Sequence, residues 1–112
     1  MLVVGGAASL QVAPGKILLD SPDFPVEWKA IATAHAQALK VYRTDSELDW
    51  TYFSPAAFIT PGQRTGKFRL GKEDLLVDGT GQSRISMEDF AVAVVDELEQ
   101  PQNVRQRMTI GY

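Results

Sequence analysis

Residues 1–12 read MLVVGGAASLQV. Leu2, Val3 and Val4 form an apolar, β-branched run that Gly5 and Gly6 cut off at once, the pattern of a buried strand delivering the backbone to a tight turn. Buried strands normally lie inside a sheet. With no element before it, this one is expected either to form a sheet edge or to be flanked by elements supplied from elsewhere.

Outward from that strand, residues 7–25 (AASLQVAPGKILLDSPDFP) hold three prolines and no helical period, and read as a long ordered loop. From Pro25, suited to a first helical position, the texture changes. Ile31, Ala34, Ala38 and Val41 recur at spacings of three and four, which predicts a helix with an alanine-rich seam able to lie close to a sheet. TDSEL (44–48) supplies a turn. DWTYF (49–53) supplies a strand, stopped by Ser54 and Pro55. Strand, loop, helix and strand in that order make a βαβ crossover, so the expected fold class is α/β with a mainly parallel sheet and a right-handed connection.

Beyond it, GKFRL (66–70) and EDLLVDG (73–79) flank Gly71 and read as a small hairpin, and GTGQSR (79–84) as a mobile turn. Ser86 followed by Asp89 resembles a capping box with the shorter acid in place of Glu. Phe90, Ala91, Val94, Val95 and Leu98 mark the expected apolar face of a second helix, which Pro101 ends. RMTIG (107–111) reads as a last strand. There is no internal repeat, and residues 1–112 are expected to form one domain.

The composition, 45% hydrophobic and 22% charged, is that of an ordinary folded domain. The net charge is −3 and the eleven Lys and Arg are scattered, which leaves no electrostatic footprint for nucleic acid. The absence of cysteine removes disulfides, thiolate catalysis and cysteine-based zinc sites together. The apolar start lacks a basic leader and is too short for a membrane span, so neither export nor membrane attachment is expected and the cytoplasm is the default compartment.

Candidate chemistry is sparse. His35 lies mid-helix with no His or Cys partner, so it is expected to be a packing or surface histidine and no metal site is expected. Asp96, Glu97 and Glu99 look like a solvated face, and Asp20 and Asp23 bracket Ser21-Pro22 where turn bonds are the commoner reason for an acid. Gly5 and Gly6 carry more. Glycine after a parallel strand permits close backbone approach, and in open α/β sheets ligands bind outside the carboxyl ends of the strands. The turn Ser54-Pro55-Ala56-Ala57 would end the neighbouring strand on that same rim. Neither GxGxxG nor GxxxxGK[ST] is present, and GTGQSR lacks the strand-turn-helix context of a phosphate loop.

Together, LVVGGAASL, LLDSPDFP, LDWTYFSPAAF, GKF and SRISMEDFAVAVVDELEQP resemble the carboxyl-terminal half of the NmrA-like, NAD(P)-binding atypical short-chain dehydrogenase/reductases, most closely the NADH-flavin reductase group. The resemblance implies a partial Rossmann-like domain with two principal helices, lacking the amino-terminal half that carries the dinucleotide loop. By resemblance, Gly5, Gly6 and Ala7 line the nicotinamide end of the cofactor crevice, and Ser54, Pro55 and Ala56 approach it from the next strand. Ser9 lies near the hydride-accepting side, with Phe24 and Phe58 candidates to stack on a planar acceptor. The implied cofactor is NAD(P)H, held weakly or not at all by this segment alone, and the implied acceptor FMN or FAD. The superfamily's Tyr-x-x-x-Lys pair would fall near Ala32 and Ala36 and is missing, so no catalytic residue is assigned and flavin reduction is expected in place of carbonyl reduction. The alternative is a non-catalytic NmrA-like module that senses dinucleotide or binds protein. Association is also expected, as a homodimer or with the amino-terminal half, through the open edge of the first strand.

Overall fold

In the computed structural model, residues 1–45 and 47–112 are described; Ser46, within the expected TDSEL turn, lies outside the described residues. The strands are β1 (Leu2–Val4), β2 (Gln11–Ala13), β3 (Lys16–Ile17), β4 (Thr51–Ser54), β5 (Phe58–Thr60), β6 (Arg69–Gly71), β7 (Arg84–Ser86) and β8 (Gln106–Gly111). The helices are α1 (Lys29–Thr44) and α2 (Met87–Glu99). The main sheet has the order β1-β4-β8-β6, with β1, β4 and β8 parallel and β6 antiparallel to β8. This is the α/β class expected, and the β1-α1-β4 unit is the crossover read from residues 2–53. β1 is an edge of the sheet.

Successive residues of β4 point to opposite faces, and each face receives one helix. Tyr52 joins Trp50 and Leu39 of α1 on one side. Phe53 joins Phe90 and Ala93 of α2, with Ile85, Met108 and Ile110, on the other, its ring 4.7 Å from that of Phe90. All four residues of β4 are buried, as a central parallel strand requires.

The packed stripe of α1 corrects the expected seam. Ala32 and Leu39 are buried, with Tyr42 partly so, whereas Ile31 and Val41 are 65% and 66% exposed. The stripe is turned by one residue, about 100° around the helix. The helix is apolar on more than one side, and the bulky Trp50 and Tyr52 select the face that offers Leu39 and Tyr42. Pro25 also sits earlier than expected: it precedes a 3-10 turn over Val26–Trp28, and the α-helix follows.

Other expectations change through long-range pairing. Within residues 7–25, β2 and β3 form an antiparallel hairpin, so this stretch is more structured than a loop. β6 pairs with β8 and not with EDLLVDG, because the long buried β8 offers a better partner than that short acidic segment. Residues 73–75 instead bond to Gln11, whose N–H reaches the Glu73 carbonyl at 2.8 Å. The 79–84 turn is gathered around Asp78, which accepts from Thr80, Gln82 and Arg84.

α2 begins at Ser86 as expected, whose hydroxyl accepts the Asp89 N–H at 3.0 Å. The reciprocal half of the capping box is absent. The Asp89 carboxylate turns instead to the Thr65 and Gly66 N–H groups and to the hydroxyls of Thr65 and Tyr112. Phe90, Ala93 and Glu97 face inward while Ala91, Val95 and Leu98 are exposed, which again moves the expected face. Asp96 and Glu99 are solvated, but Glu97 is buried and accepts from the Gln102 and Asn103 N–H groups, closing the end of the helix.

Candidate strand-end crevice

Where β1 ends, Gly5 is buried against Tyr52. A Cβ on Gly5 would lie 2.0 Å from the tyrosine ring, so this glycine is demanded by a side chain of the neighbouring strand. The Tyr52 hydroxyl donates to the His35 carbonyl at 3.0 Å and accepts the Gly6 N–H at 3.4 Å. One buried side chain thereby ties the end of β1 to the middle of α1. Burial pushes the Tyr52 hydroxyl above its ordinary pKa, so it stays a neutral donor.

Beyond that tie lies a cavity of about 540 Å³. Gly6, Ala7 and Ala8 after β1 form one side, and Ala57 and Phe58 after β4 another. Ala32 and His35 of α1, with Phe24 and Trp28 from the segment before it, close the rest. The carboxyl ends of two adjacent parallel strands therefore open into one crevice, where ligands of open α/β sheets bind. Its titratable side chains are Asp23 and His35; among the described residues, no lysine or arginine lines it.

Of the residues singled out from the sequence, Gly6, Ala7, Phe24 and Phe58 line this cavity. Ser54, Pro55 and Ala56 are buried beneath the turn that presents Ala57 and Phe58, and Gly5 lies behind Tyr52. Ser9 faces Arg107. Its hydroxyl accepts from that guanidinium at 2.7 Å and its carbonyl at 3.0 Å. Ala32 is on the cavity wall, and Ala36 is not among the lining residues. Asp23 takes part in a turn through its N–H, which donates to the Ser21 hydroxyl at 3.4 Å.

Arg107 was not a candidate from the sequence. It is buried at the start of β8 and also reaches Ser54 Oγ at 3.4 Å and Glu73 at 3.2 Å. Burial alone would raise the Glu73 pKa, but the hydrogen bonds and charge of Arg107, joined by Arg43, hold it below the usual carboxylate range. The guanidinium thus ties the Ser9 carbonyl after β1 to the Glu73 carboxylate after β6. The available signal was a cation heading the apolar run Met108-Thr109-Ile110, since a buried charge must find a partner. Trp28 stands three residues before Ile31, in step with the helical spacing, so nothing in the sequence sets it apart from a packing position; the structure places it in the 3-10 turn on the cavity wall. Among the described residues, no cluster of three metal-ligating side chains occurs, and no helix is long and apolar enough to cross a membrane.

A family model described as NAD(P)H-binding matches residues 1–101. The uncharacterized protein YwnB of Bacillus subtilis (strain 168) is 43% identical over 113 residues, covering 98% of this chain and 53% of YwnB. A solved structure from Bacteroides thetaiotaomicron, named a "putative epimerase", superposes with a TM-score of 0.96 at 48% identity, covering 99% of this chain and 52% of that one. A "putative NADH-flavin reductase" from Streptococcus pneumoniae TIGR4 superposes with a TM-score of 0.92 at 41% identity, covering 98% and 54%. The chain therefore spans about half the length of the relatives it matches.

Proposed function

This chain belongs to the NAD(P)H-binding family, and from that premise we propose that its strand-end crevice holds the nicotinamide end of NAD(P)H beside a flavin that accepts the hydride. The observation that carries the reading is the meeting of Gly6-Ala7 and Ala57-Phe58, from the ends of β1 and β4, across one cavity of about 540 Å³. Its walls are apolar and aromatic, which suits flat rings.

The residues fit the ring end of a dinucleotide and not its diphosphate. No arginine or lysine lines the cavity among the described residues, and the Gly5-Gly6 turn after β1 leads into the β2–β3 hairpin and not into a helix N-terminus. Residues outside this 112-residue span would have to hold the phosphates. That is why weak dinucleotide binding by this segment alone remains part of the proposal.

Within the span, Gly6 and Ala7 offer backbone without bulk, so a ring can approach the end of β1 closely. Phe24 and Phe58 stack on the acceptor. Gly5, Ser54, Pro55 and Ala56 act from beneath, fixing the two turns through Tyr52 and the β4–β8 ladder. Ser9, clamped by Arg107, fixes the direction in which the backbone leaves the crevice. NAD(P)H supplies the hydride, and the chain's part is to place donor and acceptor rings face to face in a site that sheds water.

A second reading, a dinucleotide sensor or protein-binding module without turnover, is favoured by one observation. Ala32, near where the superfamily's tyrosine would stand, presents only a methyl group to the cavity. Fluorescence titration with NADH and NADPH, paired with nicotinamide oxidation followed with and without FMN, separates the two. Binding with flavin-dependent oxidation supports the reductase. Binding without oxidation supports the sensor, and no binding assigns the function to a longer protein.

A further inference from the structure

We propose that the opposite rim of the sheet carries a second ligand site, for a doubly charged oxyanion of the phosphate type; this stands independently of the crevice. Trp50, just before β4, and Arg105, just before β8, lie at the amino ends of parallel strands, whereas the crevice lies at the carboxyl ends of β1 and β4. A cavity of about 360 Å³ opens there, and its lining includes Trp50, Arg43, Lys72, Glu73, Arg105 and Arg107. It adjoins β4, β8 and β6, on the far side of the sheet from the open edge of β1.

The lining is cationic in a chain whose net charge is −3. Arg43, Lys72, Arg105 and Arg107 bring four positive charges; Glu73 and the nearby Asp49 return two, and two are left over. Glu73 is shared between the guanidinium groups of Arg43 and Arg107, and Asp49 meets Arg105 at 3.2 Å. Lys72 donates to the side-chain oxygens of Asn103 and Gln106, which carry no charge. Arg107 spends its N–H groups on Ser9, Ser54 and Glu73, so it contributes charge to the cavity and not donors. A buried donor stands ready beside these cations. Trp50 is 3% exposed, and its indole N–H has no hydrogen-bond partner among the described residues. Buried N–H groups are normally satisfied. An oxyanion held by Arg43, Lys72 and Arg105 next to the indole supplies the acceptor and the counter-charge together.

Trp28→Phe leaves Trp50 as the sole tryptophan, and its fluorescence in the full chain is expected to change as inorganic phosphate is added while sodium chloride holds the ionic strength constant. At about ten times its dissociation constant, phosphate should raise the melting temperature by about 5 °C. Lys72→Gln and Arg105→Gln should each weaken binding roughly tenfold, the loss of one charge about 5 Å from a dianion in water, and Lys72→Arg should retain it. Phosphate leaving both readouts unchanged overturns the proposal. So does a response that chloride reproduces, or a phosphate affinity that neither charge-removing variant lowers.

Discussion

Gly5 and Tyr52 compete for one volume: the ring of Tyr52 fills the place a Cβ on Gly5 would take, at 2.0 Å. This contact joins β1 to β4 and, through the tyrosine hydroxyl, to α1 at His35. The shape of the crevice depends on it.

Gly5→Ala is therefore expected to be destabilising by about 1–3 kcal/mol, the range of overpacking in a well-filled core. Tyr52→Ala, which empties that volume, should cost about 3–5 kcal/mol. The double variant should be more stable than the sum of the two, because the alanine at position 5 then has room. Urea denaturation of the four proteins closes the cycle, and strict additivity would refute the shared-volume account.

Arg107 is expected to be more sensitive than any surface arginine. Its side chain is 2% exposed while its partner Glu73 is 41% exposed. Glu73→Gln keeps the shape but leaves the guanidinium without its counter-charge, and a loss of about 1–3 kcal/mol is expected, softened by the water that reaches position 73. Arg43→Ala, on the exposed side of the same carboxylate, should cost under about 1 kcal/mol. Chemical denaturation of both variants checks the order.

Asp89 predicts a pH dependence. Burial would raise its pKa, but the hydroxyls of Tyr112 and Thr65 and the N–H groups of Gly66 and Thr65 outweigh burial and lower it to about 2. The unfolded chain titrates near 3.9. A carboxylate depressed on folding stabilises the fold above its unfolded pKa, and that contribution fades as pH falls from about 4 to about 2. Asp89→Asn should be less stable at neutral pH and lose less stability across that acid window. Thermal melts of both proteins between pH 2 and pH 7 would test this, and parallel profiles would count against it.

Phe58 is 57% exposed, so Phe58→Ala should leave stability nearly unchanged. If it stacks on the acceptor, flavin affinity should fall roughly tenfold, as loss of an aromatic contact worth about 1–1.5 kcal/mol implies. The paired readout of melting temperature and flavin titration separates a binding role from a structural one.

The open edge of β1 leads us to expect concentration-dependent association of this chain. Val4 is exposed on that edge, and unpaired apolar edges pair readily. Sedimentation velocity over a concentration series should show it, and Val4→Lys should suppress it. A single monomeric species at every concentration would rule it out.

The amino-acid sequence by itself determined the α/β class and the elements that carry it, β1, α1, β4, α2 and β8. The run Leu2–Val4 stopped by glycines, the helical spacing after Pro25, the strand stopped at Ser54-Pro55 and the cap at Ser86 are local signals, carried by neighbouring residues, and they sufficed for a parallel βαβ unit. They also set Gly5-Gly6 and the Ser54-Pro55-Ala56-Ala57 turn on one rim, because the ends of neighbouring parallel strands point the same way. Tertiary structure alone decided what depends on distant partners. An alanine-rich helix can pack on several faces, and the face carrying Leu39 and Tyr42 was selected by Trp50 and Tyr52 rather than by its own period. β6 chose β8 over its sequence neighbour because burial favoured the longer strand. Asp89, Glu97 and Arg107 were drawn inward by N–H groups, hydroxyls and carboxylates up to 98 residues away in the chain. Such pairings are invisible to periodicity, since the energy that fixes them comes from removing water around groups that meet only after the chain has folded.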